Sequence, residues 1–179
     1  VDGSYWNTPN IGATNSSNFT ARGAGRRSPT GIFERILDSA YFWTSSQLSG
    51  SIYYIYNINY SSSFFYLGNS EIERGLSIRP VKNTTTLSHG QMGTYTGKDG
   101  RIYRTIAIGT GTTQEWLVGN LAETQYQNGD IITEVRDASA WSNLTSPACC
   151  AYDNNWTYVS GVAPTPTPSM TLTPTITPS

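Results

Sequence analysis

Residues 51–60 read SIYYIYNINY. Ile52, Tyr54, Tyr56, Ile58 and Tyr60 fall on one side of a two-residue alternation, and Tyr53, Ile55, Asn57 and Asn59 fall on the other. That is the period of a strand, whose successive side chains point to opposite faces of a sheet. The second set is the more polar, so the stretch predicts a half-buried antiparallel strand. The three serines at 61–63 predict a turn, FFYL at 64–67 a second strand, GNS at 68–70 another turn, and LSIRPV at 76–81 a third strand. Together they predict a three-stranded meander with an edge in need of a partner.

On the N-terminal side, the TPN, GATN and RGAG punctuation of 7–31 reads as ordered loops. On the other side, 83–97 is polar and glycine-containing without a sustained period, and reads as a connector. Alternation returns at 101–108, with Ile102, Ile106 and Ile108 on one side, followed by a turn at Gly109-Thr110-Gly111 and a strand over 114–121. Asn128-Gly129 is a tight-turn pair leading into a strand at 131–135. Asp137 is suited to cap a short helix over 137–143 that would turn Trp141 inward. From 162 to 179 prolines alternate with threonines and serines, which favours an extended polyproline stalk of about 3.1 Å per residue, roughly 55 Å in all.

Composition narrows the function. Charged residues make up 13% of the 179, about half the usual quarter, and Ser, Thr, Asn, Gly and Tyr are abundant. That bias belongs to extracellular, β-rich recognition proteins. The net charge is −1 and the arginines are scattered apart from Arg22, Arg26 and Arg27, so no basic stripe offers a track to nucleic acid. No apolar run approaches the length of a membrane span, and membrane insertion is not expected. With Val1 first, the chain reads as processed, excised or lacking its start. The sequons at Asn15, Asn18, Asn59, Asn83, Asn143 and Asn155 matter only in a glycosylating source.

A family resemblance rests on several short motifs in order. Residues 98–154, beginning KDGRIYRTIAIGTGTTQEWLVGN, resemble the opening half of the Fibrobacter succinogenes major paralogous domain. Residues 3–82, through SYWNTPNIGATNSSNFTARGAGRRSPTGIF, YFWTSSQ and GLSIRPVK, resemble its closing half. The halves thus stand in reversed order. The resemblance implies a C-type-lectin-like fold, akin to the formylglycine-generating enzymes, and a setting on phage tails or bacterial surfaces. The family's middle stretch, of the LYNWYA and GWHVP kind, is missing, so the lectin-like domain is expected to be incomplete or completed by another subunit. Where the family often carries a cysteine after its Val-Arg, Arg79 is followed here by Pro80, which excludes a disulfide at that point. The resemblance places Trp43, Trp116 and Trp141 at aromatic motifs, as buried anchors.

The sequence therefore predicts a mainly β protein with irregular loops, α+β at most. It divides into a closing-half segment 1–82, a linker 83–97, an opening-half segment 98–161 and the stalk 162–179. Candidate chemistry is thin. His89 is the only histidine, and no serine sits in a GxSxG elbow. Gly109-Thr110-Gly111 lacks the Gly-Lys-Ser/Thr of a phosphate loop. Asp153, Asn154 and Asn155 match no calcium-loop spacing. Glu71 and Glu73 read as a solvated edge. Cys149 and Cys150 are adjacent, and because a vicinal disulfide is strained they read as two thiols or as one pairing with another chain. No catalytic residue, metal or cofactor is expected.

What stands out is the Tyr/Asn/Ser vocabulary of 44–70, which suits a binding surface because tyrosine gives large contact area at low entropic cost. It also resembles in position the variable region of retroelement-diversified lectin-fold proteins. Tyr53, Asn57, Asn59, Tyr66 and Asn69 are the expected ligand contacts. The expected function is a non-enzymatic tail-fibre or surface-appendage module displaying this patch to a cell-surface glycan or protein receptor, outside the cell, among other copies or modules of the same appendage. The alternative is a purely structural fibre module assembling through its half-domains.

Overall fold

The computed structural model describes residues 5–156, and the expected stalk lies outside them. The described chain is mainly β, with 39% strand against 7% helix, and its sheet curls into an incomplete half-barrel. The predicted strand at 51–60 is β4 (Ile52–Asn59), paired antiparallel with β3 (Ser39–Ser49) on one side and β5 (Tyr66–Glu71) on the other. Beyond β3 lie β1 (Ala24–Arg27) and β2 (Phe33–Ile36), giving the order β2-β1-β3-β4-β5.

Three differences from the expected meander have physical causes. β5 runs straight through Gly68, Asn69 and Ser70, read as a turn, because the β4 ladder continues from Asn57↔Tyr66 to Ile52↔Glu71. Pairing along a whole strand outweighs local turn preference. The third strand does not join this meander: 75–77 touches the sheet only through the bridges Arg27↔Gly75 and Phe42↔Ser77. After Arg79, the chain enters a second sheet as β6 (Val81–Lys82). β1 also arises inside the expected loop 7–31, where Gly25 has φ +64°, and a Cβ there would stand 2.4 Å from the Glu34 carbonyl oxygen. Only glycine fits that approach.

The second sheet has the order β6-β9-β8-β7, with β7 (Met92–Thr96), β8 (Ile102–Ile108) and β9 (Gln114–Leu117). β7 occupies the segment read as a linker. In β8 Tyr103, Thr105 and Ala107 are almost wholly buried; of the isoleucines expected on the other face, Ile102 is 53% exposed but Ile106 is fully buried, so the strand is covered on both faces toward its end. The polar residues of the first set have partners there. The Tyr103 hydroxyl accepts the Ala122 amide at 3.0 Å, and Thr105 Oγ1 donates to Glu115 Oε1 at 2.6 Å. Downstream, β10 (Thr133–Glu134) pairs in parallel with β11 (Ala148–Cys149), and α1 (Ala138–Ser142) starts where Asp137 accepts the Ala140 amide at 2.7 Å.

The two halves are fastened together within one chain, with β6 from the first contributing a strand to the sheet of the second. Two buried arginines add to the junction. Arg27 is 2% exposed and donates to the carbonyls of Gly31, Val135, Arg136 and Asp137. Arg79 is 8% exposed and donates to the carbonyls of Phe19 and Thr20 and to Asn120 Oδ1. Burial first, and the Arg22 charge second, push the Arg79 pKa down to about 9, so it stays charged at neutral pH. Trp141 is buried, stacks with Arg27 at 4.4 Å and donates Nε1 to the Glu73 carbonyl at 3.1 Å. Trp43 and Trp116, expected as equally buried anchors, are only half-buried. Trp116 meets the Phe19 ring edge-on at 5.8 Å.

Candidate functional site

Strand register sorts the expected binding residues by face, since directly paired residues share a side. Asn57 pairs with Tyr41 and with Tyr66, and Arg26 pairs with Glu34. One step beyond the Gly25↔Ala40 pair, the Arg26 guanidinium lies 5.1 Å from the Tyr41 ring centroid. Glu34, Arg26, Tyr41, Asn57 and Tyr66 therefore form one line across the five strands. The lines beside it hold Trp43, Ile55 and Gly68, then Gln47, Tyr53 and Ser70. Asn59 shares this face, opposite Ser39. Asn69 does not: it pairs with Tyr54 and looks out from the other side of the sheet.

The face is more sheltered than its polarity suggests. Tyr53, Asn57 and Asn59 are half-buried, and Ile55 among them is 7% exposed, whereas Tyr66 is 42% exposed. At one end of this face lies a trough of about 1250 Å³, where Arg26, Trp43 and Tyr53 meet the segment 72–78, the helix residue Trp141 and the segment 144–152; Asn57, Asn59 and Tyr66 lie outside its lining. Asn59 spends its Oδ1 on the Ser61 amide and hydroxyl at 3.1 and 2.9 Å, and the Tyr66 hydroxyl sits 2.9 Å from Ser62 Oγ. The side chains of Tyr53 and Asn57 make no hydrogen bond among the described residues.

On the opposite face, Tyr56 stacks on Phe65 with ring centroids 4.7 Å apart. With Leu67 at 59% exposure and Phe64 at 68%, this makes an apolar shelf along the edge strand β5. A shallow hollow of about 280 Å³ lies between Thr44, Ser46, Tyr54, Tyr56 and Leu67. The consecutive FFYL was legible in the sequence, but its exposure was not.

The remaining candidates lie apart. His89 is exposed and its Nδ1 accepts the Gly109 amide at 3.2 Å. Gly109-Thr110-Gly111 links β8 to β9. Glu71 is paired with Arg74 at 3.0 Å, and its own backbone amide and then Arg74 hold its pKa below the usual carboxylate value. Asp153 and Asn154 occupy a 3-10 turn, and among the described residues no group of three metal-ligating side chains is present. Cys149 and Cys150 are free, half-buried thiols on the trough wall. Burial, then Glu134 and Cys150, push the Cys149 thiol up to about 11. Burial also raises Cys150, against the opposing pull of Arg27.

A scan against family models, a search of curated proteins and a search of solved structures each returned no match to this chain. Fold and site define its class on their own terms: a mainly β chain with a sheltered, aromatic- and amide-bearing sheet face opening on a trough.

Proposed function

We propose that this chain is a non-enzymatic recognition module of an extracellular appendage, a phage tail fibre or bacterial surface protein with a lectin-like fold, that binds a cell-surface glycan or protein receptor. The observation that carries the reading is the trough edge formed by Arg26, Trp43 and Tyr53, continued outside the trough on the same sheet face by Tyr41, Asn57 and Tyr66, with side-chain hydrogen-bonding groups on Tyr53 and Asn57 not taken up by the described residues. A largely preformed cleft with aromatic walls and a few convergent polar groups is what a ligand site requires. Tyrosine and asparagine supply contact area and adaptable hydrogen bonds together. The test is a glycan array and a cell-binding assay with the triple variant Tyr53→Ala, Asn57→Ala, Tyr66→Ala. Loss of binding with retained folding supports the reading, and unchanged binding sinks it.

The second reading, a structural module that joins copies into a fibre, draws on the apolar shelf at the β5 edge. An edge strand with exposed Leu67, preceded by exposed Phe65, is a template for pairing with another chain. Light scattering and a concentration series of melting curves test it, because linked folding and association make the melting temperature depend on concentration.

A further inference from the structure

Four arginines and two carboxylates line the trough, Arg22, Arg26, Arg27 and Arg74 with Glu73 and Glu123. Three of the arginines are occupied: Arg26 by Glu34, Arg74 by Glu71, and Arg27 by backbone carbonyls. Arg22 is not. Its guanidinium lies 3.8 Å over the Tyr5 ring, and among the described residues it makes no ion pair or hydrogen bond. Buried Arg79, close enough to feel the Arg22 charge, likewise has no carboxylate partner among the described residues. A half-buried fork of donors beside a second cation, in a low-dielectric cleft, favours an incoming anion over water.

The type of anion follows from the rest of the wall. Tyr5, Trp43 and Tyr53 supply flat apolar surfaces. A single unoccupied guanidinium among aromatic rings suits a ligand with isolated negative charges, whereas a polyphosphate or nucleic acid needs a run of free cations. The carboxylate is the anion an arginine fork matches with two parallel hydrogen bonds. At about 1250 Å³ the trough exceeds the roughly 300–1,000 Å³ of small-molecule sites, which favours an oligomeric ligand. We propose that the trough binds an acidic oligosaccharide, its carboxylate on Arg22 and its sugar rings against the aromatic wall to which Trp43 and Tyr53 belong. This deepens the recognition reading above and rests on it.

Titration calorimetry on the full chain tests it with two matched pairs of probes. One is a galacturonate hexasaccharide and its neutral methyl ester, and the other is a sialylated oligosaccharide and its asialo form. At least one acidic member should bind about tenfold or more tighter than its neutral counterpart, the worth of a charged hydrogen bond. That preference should shrink with added salt. Arg22→Gln should abolish the preference without moving the melting temperature, and Arg22→Lys, which keeps the charge but not the fork, should keep part of it. Equal affinity within both pairs overturns the inference, as does a preference that survives Arg22→Gln, or tighter binding of inorganic polyphosphate. If the neutral sugars bind as well as the acidic ones and Tyr53→Ala weakens both, recognition stands and the acidic ligand falls. If no probe, array glycan or cell binds, the recognition reading falls too.

Discussion

The four-stranded and five-stranded sheets treat their polar side chains in opposite ways. In the first, Glu115 accepts from Thr105 at 2.6 Å and Thr85 at 3.0 Å, and the Tyr103 hydroxyl accepts the Ala122 amide, so the polar groups satisfy one another inside the sheet's own packing. In the second, Tyr53 and Asn57 sit at comparable mid-strand positions, half-buried, with no such side-chain partners among the described residues. A sheltered polar group left unpaired by its own protein is costly unless water or a ligand meets it. The contrast separates polar residues that hold the fold from those available to a partner.

The largest effect should come from the contact that holds α1 against the five-stranded sheet. Trp141→Ala removes a buried ring stacked on Arg27 and should cost about 3–5 kcal/mol in denaturant unfolding. Half-buried Trp43→Ala should cost clearly less, and equal losses would break the distinction between anchor and wall. Within the four-stranded sheet, Tyr103→Phe leaves the buried Ala122 amide without its acceptor and should cost about 1–3 kcal/mol. Tyr53→Phe in the five-stranded sheet should leave the melting temperature nearly unchanged while weakening ligand binding. If the two Tyr→Phe variants destabilise alike, the contrast between the sheets is wrong.

The smallest effect is a pH dependence. Burial, chiefly, raises Cys149 from 9.0 to about 11, so between those values the unfolded chain releases a proton that the folded chain keeps. The contribution of Cys149 to stability is therefore unchanged below pH 9 and is lost as the pH rises toward 11. Tyr103, also raised by burial, acts in the same direction at higher pH. Cys149→Ser should flatten the decline just above pH 9, as followed by melting temperature. In the same range, thiol alkylation of the folded protein should be slower than that of the unfolded chain, because the thiolate is the nucleophile.

Much of the local structure was legible because its causes are local. The alternation at 51–60 and 101–108 defines β4 and β8, and Asp137 followed by Trp141 defines the capped turn of α1. Asn128-Gly129 marks the turn closed by the Gly129 amide on the Tyr126 carbonyl. Of the five expected contact residues, the period alone placed Tyr53, Asn57 and Asn59 on one side, and register added Tyr66 and removed Asn69. β5 through Gly68-Asn69-Ser70 and β7 inside the apparent linker were hidden. Their strand state comes from the ladders of β4 and β8, which override weak propensity.

What the sequence by itself determined is a mainly β chain in which certain strands have two chemically distinct faces. Alternation sorts side chains into two sets, but it carries no information on which set is covered, because the cover comes from elsewhere in the chain. Tertiary structure decided that Tyr103, Thr105 and Ala107 are buried together with Ile106 while Ile102 stays exposed, and that Tyr53 on the polar side of β4 lies against a trough walled by 72–78 and 144–152. It also decided that Arg27 and Arg79, ordinary surface residues by composition, lie buried on carbonyls drawn from distant segments. Each outcome depends on contacts across long sequence separations, where packing and hydrogen-bond satisfaction over the whole molecule outweigh the preference of any one segment.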